Sequence, residues 1–262
     1  MKFRTLLLSS TLLSSTLFAG GDIAPVEPVI QNVAPQEATS GWSYELEPYM
    51  LIASMTGTSK VGRAPTLEID MDFGTILENL DMAAMVHFEA HNQNGWGLWL
   101  DYGFMDLSSD ISGPVGGVTN ARVRQGILEA FAMYRQPVSN GTLDYLAGIR
   151  WWDNDFDINH NALPLAVEVE EDWVDLVAGA RWTTPINESW KFSATGTVGG
   201  LGSDISLSGA VGVKYVISDL LDLDLQYKAY WADYESGTRG QKGYFAYDVT
   251  TYGPIVGLNF KF

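Results

Sequence analysis

The sequence predicts an all-β chain, a transmembrane antiparallel up-and-down β-barrel of about ten strands. Three observations predict it. From Trp42 onward apolar and polar residues alternate with period two in one segment after another. The breaks between these segments are alternately tight turn-forming clusters and longer polar stretches. The apolar rows carry aromatic residues near their ends, out of 12 Tyr, 11 Phe and 9 Trp in 262 residues, while mean hydropathy is +0.00. A zero average is what results when greasy and polar residues alternate instead of clustering.

The amino terminus reads as a secretory signal over residues 1–21. Lys2 and Arg4 give a positive start, Leu6 to Phe18 form an apolar stretch softened by Ser and Thr, and Ala19-Gly20-Gly21 supplies small residues for cleavage. The stretch is too short and too rich in hydroxyls for a transmembrane helix, which needs about 20 apolar residues. An exported chain without a helical span stays soluble or closes into a barrel, because hydrocarbon leaves no other way of satisfying backbone groups. Residues 22–40, with Pro25, Pro28 and Pro35 and few large side chains after Ile30, are expected to form a disordered periplasmic leader. A short strand or a plug within the barrel is the other reading. The barrel itself is expected over 41–262.

The tight breaks are Asn92-Gln93-Asn94-Gly95, Ser139-Asn140-Gly141, Asn187-Glu188-Ser189 and Ser218-Asp219. In an outer-membrane barrel these face the periplasm. The longer breaks, 58–81, 108–120, 153–172, 202–206 and 236–243, are then extracellular loops. Between them lie ten spans, 43–56, 82–91, 96–107, 121–137, 142–153, 172–185, 190–201, 205–217, 221–235 and 244–262. Merging 190–217 would give eight strands, and a hairpin around Thr66 to Met71 would give twelve. Inside the first loop, Phe73, Ile76, Leu77 and Leu80 have helical spacing, with Asp72 placed to cap, so a short helix is expected there. Continued strand is the alternative.

Each span has a greasy face. Trp96, Leu98, Leu100, Tyr102 and Phe104 share one, as do Leu143, Tyr145, Ala147, Ile149 and Trp151, and Leu223, Leu225, Tyr227, Ala229 and Trp231. Aromatic rings at strand ends suit the lipid–water interface. The inner sheet faces of a soluble β-sandwich would also alternate, but would seldom need Trp and Tyr at both ends. The opposite faces carry charge in mid-strand: Glu89, Asp101, Glu129, Arg150, Asp175, Arg181 and Lys228. These are expected to point into the lumen and to pair there, since a desolvated charge persists only when paired and hydrogen-bonded. Glu129 and Arg150 lie at comparable distances from the turn at Ser139 to Gly141, which makes them the leading pair.

The final strand shows the pattern most clearly. Val256, Leu258, Phe260 and Phe262 share one face, with Gly257, Asn259 and Lys261 on the other. Ending on an aromatic residue after Gly257-x-x-Phe260-x-Phe262, it resembles the assembly signal of Gram-negative outer-membrane barrels. With Gly148-Ile149-Arg150-Trp151 and Gly179-Ala180-Arg181-Trp182, the chain resembles the small outer-membrane barrels of the broad OmpA, OmpX and OmpW-like grouping. That resemblance implies location in the outer membrane, export through the periplasm, contact with outer-membrane lipid and lipopolysaccharide, and handling by the barrel-assembly machinery. It implies a structural, adhesive or narrow-pore role.

The formal charge of −17, or −19 once Lys2 and Arg4 leave, argues against nucleic acid and anionic lipid as partners. Divalent cations at the acidic stretches around Asp153, Asp155, Asp157 and Glu168 to Asp172 fit better, although the glycine and terminal glutamate of an EF-hand are missing. With no Cys there are no disulfides and no acyl-anchor cysteine. No cofactor motif is present. His87, Glu89 and His91 alternate on one face, but successive same-face residues stand ~7 Å apart, too far for neighbours to share a small metal. His160 has no evident nucleophile partner. The sequence therefore points to a structural or surface-interaction barrel with a charged lumen, or else a narrow solute channel. An outer-membrane lipid hydrolase or protease is the remaining alternative.

Overall fold

β1 (Trp42–Leu51) pairs along one edge with the last strand of the chain, Glu45 opposite Lys261 and Leu51 opposite Ile255, and this pairing closes a ring. The structure, a computed structural model, describes residues 41–63, 65–112, 118–160 and 166–262. The signal and leader expected over 1–21 and 22–40 lie outside those residues. β2 (Ser54–Val61) continues the line of β1 along the same partner strand, and β3 (Leu67–Met71) folds back on it as a hairpin. α1 (Phe73–Glu78) follows, capped by the Asp72 carboxylate, which accepts from the Thr75 amide at 2.8 Å. That bond to the ionised form holds the Asp72 carboxyl below its usual range. The helix sets Ile76 into the barrel interior, in contact with its apolar cluster.

The remaining strands are β4 (Leu80–Asn92), β5 (Trp96–Ser112), β6 (Val118–Val138), β7 (Gly141–His160), β8 (Ala166–Pro185), β9 (Trp190–Gly200), β10 (Ile205–Ser218), β11 (Leu221–Ser236) and β12 (Phe245–Lys261). Each pairs antiparallel with its sequence neighbour, and β4 pairs with β1 from Val86 to Asn92. β1 and β4 to β12 thus make a closed ten-strand barrel, with β2 and β3 extending it above β1. Tight turns cluster at one end, with Trp42 and Lys261. The longer connections lie at the other.

Two of the longer breaks expected from sequence are mostly strand. β7 runs on to His160 and β8 begins at Ala166, so Asp153 faces Asp172, Asp155 faces Glu170 and Asp157 faces Glu168 in paired ladders. The physical reason is that Phe156 and Val169, alternating with the acids, pack inward on the apolar cluster and keep the register going. β5 and β6 likewise remain paired from Trp96–Tyr134 up to Ser112–Val118. Outward rows are exposed and apolar, with Leu176 57%, Val198 51% and Val211 53% accessible. These would be costly facing water over so wide a band, and favourable facing hydrocarbon.

Candidate functional site

The inward rows build two storeys in the lumen. The storey toward the long connections is aromatic: Trp173 stacks on Tyr234 with centroids 4.0 Å apart, Trp152 stacks on Trp173 at 5.5 Å, and Phe245 and Tyr247 complete the pile. Met55, Ile76, Met105, Leu107 and Ile127 pack around it. The storey toward the turns is charged. The charged network expected from sequence therefore fills only half of the interior. The missed half was present in the same parity, since Trp152 follows Arg150 and Tyr230 follows Lys228 on the inward face.

All seven inward charges expected from sequence lie in this lower storey, six of them in ion pairs. Register sets Glu129, Arg150 and Asp175 in one row. Arg150, fully buried, donates to Glu129 Oε1 through Nε at 2.9 Å and Nη2 at 2.7 Å, and its Nη1 donates to Ser206 at 3.0 Å. Thr197 and Ser208 accept further bonds. Asp175 takes no cation in this row. It accepts instead from the Ser203 amide at 2.7 Å and hydroxyl at 2.8 Å, which gives a buried carboxylate hydrogen bonds in place of a counter-charge.

Arg181 reaches across the ring to Glu89, with Nη2 to Oε2 at 2.8 Å and a second contact through Nη1, and also binds Asp144 at 2.7 Å. Its guanidinium lies 4.7 Å from the Trp99 ring. Glu89 stands between two imidazoles, His87 Nε2 and His91 Nε2, each at 2.8 Å. The other His87 nitrogen faces Asp101 at 3.2 Å. Lys228 crosses from β11 to Asp101 at 3.2 Å and approaches Glu129 at 3.8 Å, while Tyr49 and Tyr230 donate to Asp101 and Glu129. No group of three or more His, Cys, Asp or Glu among the described residues is arranged to hold a metal ion. His160 closes β7, and its side chain is outside the described residues.

Nearer the turns lie charges that sequence reasoning passed over: Glu45 and Glu47 on β1, Arg135 on β6, Asp144 on β7, Lys214 on β10, Asp222 and Asp224 on β11. Parity would have found them, because Asp144 shares the face of Arg150, and Asp222 and Asp224 that of Lys228. Lys214 is shared by Glu45 at 3.8 Å, Glu47 at 3.2 Å and Asp224 at 3.3 Å. Glu47 lies over Gly257, where a Cβ would sit 2.5 Å from its carboxylate oxygen. So Gly257, read from sequence as part of an assembly signal, also makes room for a lumen carboxylate. A cavity of about 370 Å³ occupies this lower storey and reaches the turn end at Gly141, Thr142 and Pro185.

No known family's sequence profile matches the chain, and no curated protein matches it. Solved structures do. The translocator domain of the autotransporter NalP from Neisseria meningitidis is similar at 14% identity over 87% of this chain and 90% of its own, with a TM-score of 0.49. The outer membrane protease OmpT from Escherichia coli is similar at 9% identity over 86% and 98%, TM-score 0.42. The outer membrane protein OprG from Pseudomonas aeruginosa is similar at 12% identity over 84% and 95%, TM-score 0.35.

What this lumen can do chemically follows from its pairings. Three cations, Arg181, Lys214 and Lys228, span from one wall to a carboxylate on a distant one. Such crossings act as tie-beams. They are largely buried, and buried ion pairs are strong only if geometry and hydrogen bonds are complete.

Proposed function

We propose that this chain is an integral outer-membrane β-barrel with a structural or surface-interaction role, its lumen sealed. One observation carries the reading: ion pairs cross the turn-side lumen, and above them stacked aromatic rings fill the interior. The outer wall supports the membrane part. On β7 the outward residues from Leu143 to Trp151 are apolar or aromatic, and the next two are Asp153 and Asp155. That switch marks a hydrocarbon boundary. Nine residues from Leu143 to Trp151 match the 9–11 needed for a tilted strand to cross a bilayer.

In this reading the turn end faces the periplasm, through which the chain is exported, and the tall acidic wall faces outward. Membrane lipid meets the apolar belt and lipopolysaccharide meets the wall above it. Divalent cations are the ligands that wall would recruit, and nucleic acid is not a partner. The barrel-assembly machinery reads the final strand through Gly257, Phe260 and Phe262. No catalysis is proposed; both lumen histidines are engaged by Glu89.

Planar-bilayer recording tests the sealed lumen. The folded chain should insert without stepwise openings, and a leak should need both storeys opened, as in Arg181→Ala and Lys214→Ala combined with Trp173→Ala. Regular wild-type openings that change with Glu129→Gln or Arg150→Met would replace this reading with the narrow channel.

A further inference from the structure

Charge in the lower lumen is unevenly matched. One ammonium, Lys214, serves three carboxylates, and the second oxygen of Asp224, a residue with 0% exposure, has no hydrogen-bond partner among the described residues. Carboxylates in such excess, two of them buried, call for another cation. On the other flank the balance is reversed. Lys191 lines the same cavity, is exposed, and has no ion-pair partner among the described residues.

The register makes this mismatch costly. Lys191 stands directly opposite Lys214 on the neighbouring strand, and Lys214 directly opposite Asp224 on the next. Like charges opposite each other on a sheet destabilise it. Lys191 therefore adds repulsion to the row without relieving the carboxylates. Its backbone is two strand spacings, roughly 10 Å, from that of Asp224, with Lys214 between them, and all three residues line the cavity. The walls there also offer Thr183, Ser193 and Thr195, hydroxyls engaged by no protein group among the described residues. Members of the crossing pairs line the cavity and the aromatic storey lies above it, so we take it as a pocket entered from the turn end, where Gly141, Thr142 and Pro185 line it.

We propose that this pocket binds a small zwitterion with an ammonium at one end and a carboxylate at the other, a short peptide being the class that fits. The ammonium joins Lys214 among Glu45, Glu47 and Asp224. The carboxylate pairs with Lys191 and lies against the hydroxyl wall. Each end supplies the charge its flank lacks. A volume of about 370 Å³ lies at the lower end of the ~300–1,000 Å³ typical of small-molecule sites. This inference rests on the sealed-barrel reading in one respect, the single mouth, and calorimetry tests it apart from conductance, so the failure of one is distinguishable from the failure of the other.

Calorimetry on the full folded chain in detergent at low salt tests it, with dialanine, N-acetyl-dialanine and dialanine amide as probes. Dialanine should bind saturably at one site. Removing either terminal charge should weaken it by about tenfold or more, the loss expected for one charge-assisted hydrogen bond. Lys191→Met should bind dialanine and its amide equally, while keeping the preference for a free amino end. Asp224→Asn should do the converse, and Glu45→Gln, at a more open position, takes its place if that variant does not fold. Absence of saturable heat with dialanine at millimolar concentration overturns the proposal, as does equal binding of all three probes.

Discussion

The Arg150 guanidinium is fully buried, and each of its terminal nitrogens has at least one acceptor among Glu129, Thr197, Ser206 and Ser208. Removing it leaves Glu129 in a desolvated lumen, with Tyr230 at 3.2 Å and Lys228 at 3.8 Å as its remaining support. Breaking a buried pair from one side costs about 3–5 kcal/mol, whereas removing both charges costs far less. Arg150→Met should therefore lower unfolding free energy in detergent by that amount, and adding Glu129→Gln should recover a large part of it. Denaturant titration of the two variants decides, and a change within about 0.5 kcal/mol for Arg150→Met would place the pair among ornaments of the fold. Counting outward from the turn at Ser139 to Gly141 is enough to set Glu129 beside Arg150, because a hairpin fixes register locally. Glu47 and Lys214, on strands far apart in the chain, meet only because the sheet closes. No local pattern carries that contact, and the vacant Lys191 is invisible for the same reason.

At the scale of single elements, the Gly-x-Arg-Trp repeats show how a sequence resemblance becomes geometry. A Cβ on Gly148 would lie 2.0 Å from the Ala130 carbonyl oxygen, and one on Gly179 would lie 2.4 Å from that of Gly196. These are backbone atoms of paired strands, so no side-chain rotation relieves the clash. The glycines let adjacent strands approach closely two residues before each lumen arginine. Gly148→Ala should cost about 1–3 kcal/mol through displacement of the β6–β7 ladder. It should lower the temperature at which the folded band is lost in semi-native electrophoresis, with the same outer-wall residues still exposed. An unchanged transition would mean that the ladder gives freely there. Strand interiors and α1 were readable from periodicity and the Asp72 cap. The upper ends of β7 and β8 were not, because the density of acids from Asp153 to Asp172 reads as loop, while the force holding them in register comes from inward Phe156 and Val169 packing on a distant cluster.

For the whole molecule the decisive quantity is the solvent outside the barrel. Ala147 lies midway along the apolar outward row of β7, and Asp153 lies just past its end, both exposed on the same face of the same strand. An arginine at either site meets no packed core, so a water-soluble barrel would accept both with similar small effects. In a bilayer the two differ. Arginine at the hydrocarbon midplane costs ~2–4 kcal/mol, and near the interface ~0–1 kcal/mol. Ala147→Arg should therefore destabilise the barrel in lipid vesicles by the larger amount and Asp153→Arg by little or nothing, as read from reversible unfolding followed by tryptophan fluorescence. The same contrast should recur on β11 between Leu225→Arg and Asp233→Arg, since Leu223 to Trp231 form the matching row there. Equal costs at the two depths on both strands would remove hydrocarbon from the account of this outer wall, and with it the physical reason for putting so many large apolar side chains on the outside of a closed sheet.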